Sequence, residues 1–595
     1  MTDREVLEIA DAGSRLERAF GRPQDVEFCL DGDGRLFFLQ ARPISTVEEL
    51  GPAAGRPLLW DNSNIVESYA GVTSPMTFSF IQHAYAHVYH CFCDVMGIAP
   101  DTVRANRGLF TNMLGLFRGR VYYNLDHWYR LVRLFPGYDL NRGFMESMMG
   151  VSESLDPEPA EQASWAERLR SAPSLVRLLV RGGGHFAFLP KTVARFEAHF
   201  ETCYRRWDAV DMDALKPHEL RSLFCEMEEK LLWRWHAPII NDFYVMVAYG
   251  LLKKLCREWC GDDRGTLQND LLAGEGGLLS TKPTRKLLEI ARGVQGNPEL
   301  TRFLCETTPS DAVAAVWPAD GEPGDPALVG LRAALESYLG SYGFRGLDEL
   351  KLEEPSLEQR PEFLFQMLAN YLRRGEPIDP RASLERERRV RLDAERRAEA
   401  QLGPVRRRLF RRVLRAARRG VKNRENLRFA RSKVYALVRR LLQAQGRHLA
   451  TEGLLDAAED VFYLTLDELW SFLDGTAVTT NLRALVALRR RQFDAWRAMD
   501  APDDRFTTFG LPYHRNLLRG RPAATATAAG DDELRGVGCC PGRVRGEVRV
   551  VHSPGDASLD GEVLVAERTD PGWIPLYPTV SGLLIERGSI LSHSA

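Results

Sequence analysis

The chain has 595 residues, 44% of them hydrophobic and 27% charged, enough for two to four domains and a sizeable core. With 79 Lys and Arg against 81 Asp and Glu, it offers nucleic acid or an anionic membrane no general attraction. Its longest apolar stretch, residues 243–252, is too short to span a bilayer, and with acids at Asp3, Glu5, Glu8 and Asp11 no secretory signal is expected in this stretch. A soluble, cytoplasmic protein with reduced thiols is expected. The ten cysteines include the close pairs Cys91-x-Cys93, Cys256-x-x-x-Cys260 and Cys539-Cys540, and none of these makes a paired zinc framework.

Residues 4–20 carry helical periodicity. Two apolar runs follow, 26–30 and 36–39, and Asp31-Gly32-Asp33-Gly34 between them is a strong hairpin signal. Pro43 and the stretch 51–55 close this small α/β piece. From about 58 to 518 the pattern is mainly helical, with apolar residues at i, i+3, i+4 spacing over 78–95, 220–232, 327–339, 406–419 and 432–449. Strand alternation there is rare. Residues 381–440 hold 22 Lys or Arg against six Asp or Glu; without interleaved aromatics they predict amphipathic helices with a solvated basic face rather than a nucleic-acid surface. Residues 521–532, Arg-Pro-Ala-Ala-Thr-Ala-Thr-Ala-Ala-Gly-Asp-Asp, have nothing to bury and read as a tether. Beyond them 546–551, 563–566 and 582–585 predict the strands of a small β-rich domain.

The last residues read Ser592-His593-Ser594-Ala595 after a glycine turn at Gly588. Ser592 is suited to cap a helix, which puts His593 in the first helical turn. Neutral imidazole is a nucleophile near pH 7 and can hold a phosphoryl group as a phosphoramidate. Backbone N–H groups at a helix start favour the anion. The surrounding words, Cys540-Pro541-Gly542-x-Val544-x-Gly546-x-Val548, Gly561-Glu562-Val563-Leu564-Val565, Thr569-Asp570-Pro571-Gly572-Trp573 and Leu591-Ser592-His593-Ser594-Ala595, resemble the swivelling phosphohistidine domain of the phosphoenolpyruvate-utilising phosphotransferases. That family includes phosphoenolpyruvate synthase, pyruvate phosphate dikinase and rifampin phosphotransferase. The resemblance implies that His593 is the phosphoryl carrier. Cys540 stands where the family more often has Ser.

On the first hairpin, Asp25-Val26-Glu27-Phe28 and Leu39-Gln40-Ala41-Arg42-Pro43 resemble the last strands of the same family's ATP-grasp domain. A carboxylate suits Mg²⁺ and an Arg suits phosphate oxygens. By the resemblance, Glu27 holds ATP-bound Mg²⁺, and Gln40 and Arg42 contact the phosphates. The resemblance covers the end of that domain and an incomplete carrier domain, so truncation at both ends is expected.

Between the two lie words resembling the helical acceptor domain of the rifampin-phosphotransferase order: Asn64-Ile65-Val66-Glu67, Thr73-Ser74-Pro75-Met76-Thr77, Tyr342-Gly343-Phe344-Arg345-Gly346 with Glu349-Leu350, Arg424-Glu425-Asn426 and Asp460-Val461-Phe462-Tyr463-Leu464. Glu67, Arg345, Glu349 and Glu425 carry two readings, acceptor contact or structural ion pairs. The expected architecture is therefore multidomain. Residues 1–46 end an ATP-grasp domain, 58–518 form a large, mainly α-helical acceptor domain, 521–532 a tether, and 533–595 an incomplete β-rich swivelling carrier domain. The resemblance implies an ATP- and Mg²⁺-dependent phosphotransferase acting on a small-molecule acceptor through a phosphohistidine, with AMP and phosphate released. No nucleic-acid or membrane partner is expected. The alternatives are a non-catalytic relative that binds a ligand or partner through the helical domain, and an ATP-driven condensing enzyme of the same family.

Overall fold

A computed structural model describes residues 3–20, 24–32, 34–44, 56–135, 146, 165–262, 265–274, 276–319, 321–375, 377–513, 516, 518, 538, 543–554 and 559–586. The chain divides into two compact units, Met1–Leu59 with Phe506–Arg521 and Trp60–Arg505 with Pro522–Ala595.

The first unit opens with α1 (Asp3–Phe20), β1 (Gln24–Leu30) and β2 (Leu36–Pro43). β1 and β2 pair antiparallel, with a bulge between Glu27 and Phe28. The turn closes as the sequence predicts: the Asp31 carboxylate accepts from Arg35 N at 2.9 Å, and Gly34 adopts φ 77°, where glycine alone is at ease. Asp33 lies outside the described residues.

The second unit begins within β3 (Pro57–Asp61) and continues through α2 (Pro75–Met96), β4 (Leu114–Phe117), β5 (Arg120–Asn124), α3 (Leu125–Arg133), α4 (Trp165–Asp208), α5 (Pro217–Lys230) and α6 (His236–Cys260). Then come α7 (Lys282–Gln295), α8 (Pro298–Glu306), α9 (Pro309–Val316), α10 (Pro326–Tyr342), α11 (Glu362–Arg373), α12 (Ala382–Ala400), α13 (Pro404–Thr451), α14 (Leu466–Leu473) and α15 (Leu482–Ala498). Short strands β4 and β5 pair antiparallel, and Trp60 and Asp61 of β3 join β5. These strands escape periodicity analysis because β5 is buried on both faces, so it shows no polar alternation. No helix among the described residues is long and apolar enough to cross a membrane.

The axis of this unit is α13, 48 residues long and so about 72 Å. The separate periodic segments 406–419 and 432–449 are two stretches of this one helix. Gly420 lets α6 approach: a Cβ there would stand 2.8 Å from Val245 Cγ2, and Asn241 Nδ2 donates to Gly420 O at 3.1 Å. Leu252, Cys256, Ala394, Ala398, Phe410 and Ala417 then form one core of α6, α12 and α13. The basic run is only partly a solvated face. Arg411 pairs with Glu399 at 2.7 Å, Arg397 with Asp270 at 2.6 Å, Lys433 with Glu201 at 3.2 Å and Arg440 with Asp208 at 2.8 Å. Arg439 is buried and donates to the carbonyls of Leu352, Glu349 and Lys351. Acids drawn from distant parts of the sequence answer the excess of Arg.

A second core joins α7, α10 and α11 to the C-terminal segment through Leu287, Leu335, Leu368, Leu564, Trp573 and Leu576. Here β6 (Val548–Val550), β7 (Val563–Ala566) and β8 (Gly582–Ile585) form a parallel sheet in that order.

Candidate functional site

On the hairpin of the first unit, Asp25 faces Arg42 and Glu27 faces Gln40 across the strands. In antiparallel pairing these four side chains share one face, and all four are exposed. Arg42 Nε and Nη2 both stand 2.9 Å from Asp25 Oδ2. Glu27 and Gln40 therefore make an adjacent carboxylate–amide pair, flanked by a guanidinium already held by its own carboxylate.

In the second unit the segment between α10 and α11 is a buried polar hub. Arg345 Nε donates to Glu349 Oε2 at 2.9 Å, both side chains being almost wholly buried. Glu349 Oε1 accepts from Ser432 Oγ on α13, and the Arg345 guanidinium lies 5.4 Å from the Phe429 ring centre. Burial opposes the charge on Arg345, but Glu349 overrides it and raises the Arg345 pKa. Lys351, also buried, donates to Val72 O at 3.2 Å. Glu353 takes Ser74 N at 2.8 Å, Ser74 Oγ at 2.7 Å and Thr77 Oγ1 at 2.5 Å, capping α2 from a distant loop. The words around Thr73 and Arg345 thus meet in space. Beside them on α13, Arg431 Nε is buried with no hydrogen-bond partner among the described residues. Its charge is opposed by burial and sustained by Tyr69, Tyr435 and Tyr85, leaving its pKa raised. Tyr69 and Tyr435 share a hydroxyl–hydroxyl bond of 2.5 Å.

The C-terminal segment lies against this hub. Arg568 Nη1 donates to Val66 O at 3.0 Å, Tyr371 Oη to Pro575 O at 2.5 Å and Arg374 Nη1 to Pro578 O at 2.5 Å. Asp570 accepts from Gly572 N at 2.5 Å and from Asp348 N at 3.4 Å. Asp348 holds φ 49°, a left-handed conformation that non-glycine residues rarely adopt.

Three family profiles match the chain in order. Residues 1–54 match the AMP/ATP-binding domain of pyruvate phosphate dikinase, 238–425 the fourth domain of rifampicin phosphotransferase, and 559–595 the mobile domain of PEP-utilising enzymes. Three separate segments of the chain are thus similar to domains of the phosphoenolpyruvate-utilising phosphotransferase family. Similar relatives include rifampicin phosphotransferases of a Streptomyces species, 27% identical, and of Streptomyces sviceus, 26% identical, each aligned over 100% of this chain and 64% of its own length. A prodigiosin synthesizing transferase of Serratia marcescens is 22% identical over 100% of this chain and 66% of its own. The chain thus spans about two-thirds of the length of these relatives.

Of the residues singled out in the sequence, Glu27, Gln40 and Arg42 come together on one hairpin, and Arg345 and Glu349 come together in the hub. Glu425 lies 3.3 Å from Arg428 on the same helix, and Glu67, half-buried, follows Val66, the residue whose carbonyl takes Arg568. His593, Ser592, Cys540 and the tether at 521–532 lie outside the described residues. Sequence reasoning missed Tyr69, Arg431, Ser432, Tyr435 and Asp570. One signal was available: Glu425, Arg428, Ser432, Tyr435 and Arg439 recur every three or four residues along α13, a polar stripe in an otherwise apolar stretch.

Asp570 gives the family's mobile-domain segment a pH-dependent attachment. Burial first, then the charge of Asp348, raises its pKa to about 7. A carboxyl whose folded pKa is raised adds stability in full below its unfolded value of about 3.9. That contribution is lost as pH climbs to about 7, where Asp570 ionises in place. Hydrogen exchange over 563–585, corrected for intrinsic rates, is expected to quicken between pH 4 and 7. Asp570→Asn should flatten that change. Equal protection of the native segment at both pH values would show that Asp570 does not ionise there.

Proposed function

We propose that the chain carries the acceptor-binding and phosphoryl-carrying parts of an ATP-dependent phosphotransferase, with His593 as the carrier and a small molecule as acceptor. The observation that carries this reading is the lodging of the mobile-domain segment, Arg568 to Pro578, on the Arg345–Glu349 hub of the helical domain. On this reading the phosphoryl group on His593, further along the same family-matched stretch, is delivered toward a region rich in Arg and Tyr, where Arg431 Nε has no hydrogen-bond partner among the described residues. Such a donor suits phosphate oxygens, and a buried setting limits hydrolysis of the phosphohistidine.

ATP enters this reading as substrate. Glu27 and Gln40 fit one wall of its site, with Glu27 as a ligand for Mg²⁺, which would neutralise phosphate charge there. Arg42 fits only by sharing its guanidinium between Asp25 and a phosphate. The chain by itself is accordingly expected to bind Mg-ATP weakly, and isothermal calorimetry decides this. Micromolar, Mg²⁺-dependent binding would show that the hairpin side already makes a full site.

The function is tested by product analysis on protein expressed from its complete gene, with ATP, Mg²⁺ and candidate acceptors. AMP and phosphate formed in step with a phosphorylated acceptor are expected, and ADP as the sole nucleotide product would overturn the reading. A second reading, ATP-driven condensation of two small molecules, is favoured by the alignment of the prodigiosin synthesizing transferase over the whole chain. It predicts a joined product without retained phosphate.

A further inference from the structure

Two imidazoles on α2 converge on one carboxylate of α5. His83 and His87 are four residues apart, so they stand on one face of the helix, one turn from each other. His87 Nε2 lies 3.0 Å from Glu228 Oε1, and His83 Nε2 contacts the same oxygen. One ligand atom from each of the three lies within 4.8 Å of the others. The two helices are held together nearby by Phe80 against Phe224, ring centres 6.4 Å apart, so the group does not depend on a loop. His87 is buried and its ring is fixed against Trp233 at 4.1 Å, whereas the His83 side chain is 49% exposed.

We propose that His83, His87 and Glu228 form a binding site for a divalent transition-metal ion of the zinc type, with its remaining coordination position open to solvent on the His83 side. Two histidines four apart on a helix reach a single ion. Two imidazoles and a carboxylate are the donor set of open, three-ligand zinc sites, and imidazole nitrogen also suits Ni and Fe. Bonds of about 2.0–2.2 Å in a tetrahedron separate ligand atoms by about 3.4 Å. Both histidines therefore have to draw back from Glu228 Oε1 to admit an ion, His83 further than His87, which lies at 3.0 Å. A plain helix-to-helix ion pair would use one imidazole. Here both turn the same nitrogen, Nε2, onto one carboxylate oxygen, and a partly exposed histidine gives an approach path.

The same groups show what they do without an ion. Burial acts to raise the Glu228 pKa, but hydrogen bonds from both histidines overcome it and bring it to about 2, while the bond to Glu228 raises that of His83.

The test uses the 595-residue chain stripped with chelator and dialysed against Zn²⁺, with metal counted by mass spectrometry, and against Co²⁺, followed by its d–d absorption. One ion per chain with a d–d spectrum lacking thiolate charge transfer is expected. His83→Ala, at an exposed position that leaves the core intact, and Glu228→Gln, which keeps a hydrogen-bonding side chain, are each expected to weaken binding by at least about a hundredfold. Circular dichroism checks that both variants stay folded, and His83→Asn repeats the test if either does not. Metal content at background, or the same affinity in His83→Ala and Glu228→Gln as in the native chain, overturns the site.

Discussion

His593→Ala is expected to abolish phosphorylation of the protein. Expressed from its complete gene and given β-labelled ATP with Mg²⁺, the native protein should gain one phosphoryl group per chain, labile in acid and stable in base, as a phosphoramidate is. The effect should be all-or-none because a covalent carrier cannot be replaced by positioning: without the imidazole no nucleophile accepts the group, and both half-reactions stop together. His593→Gln, close in size and polar, should be equally silent while leaving the thermal melting curve in place, which separates loss of chemistry from loss of fold. Undiminished acid-labile label in the Ala variant would remove His593 from the mechanism, whatever the match of the words around it.

Glu349→Ala is expected to cost about 3–5 kcal/mol of stability, the range for breaking one side of a buried ion pair. Arg345 would be left charged and buried without its ion-pair partner. Ser432 Oγ would also lose its acceptor. The converse variant, Arg345→Met with Glu349→Leu, removes both charges at similar volume and should lie within about 1–2 kcal/mol of native. Urea unfolding followed by tryptophan fluorescence measures all three. This set separates the two readings that the sequence leaves open for Arg345 and Glu349. A structural pair gives the large single-variant loss with a near-neutral double variant. An acceptor contact gives small stability changes and a raised KM for the acceptor instead. A loss below about 1 kcal/mol in Glu349→Ala would mean that the pair does not hold the hub together.

Local chemistry made part of this protein legible in the sequence alone. Asp31-Gly32-Asp33-Gly34 dictates its turn because glycine tolerates positive φ and Asp bonds its own backbone, so β1 and β2 follow. Alternation over 546–551 and the short apolar runs 563–566 and 582–585 predict β6, β7 and β8, since such patterns between glycines and prolines suit short strands. The order of the family words likewise places a nucleotide-domain end, a helical domain and a carrier segment along one chain. Contacts between residues remote in sequence lay beyond this reading. Nothing local tells that Glu353 caps α2 across 279 positions, that Asp570 rests on Asp348 222 positions away, or that Glu228 meets His87 across 141. The basic run from 381 to 440 shows the limit most clearly: as sequence it is a solvated face, and as structure much of it is neutralised by Glu201, Asp208, Asp270 and Glu399. A charge's worth depends on what the fold sets beside it and how much water it removes. Periodicity reports which face of a helix is apolar, but only packing decides which acid meets which arginine there.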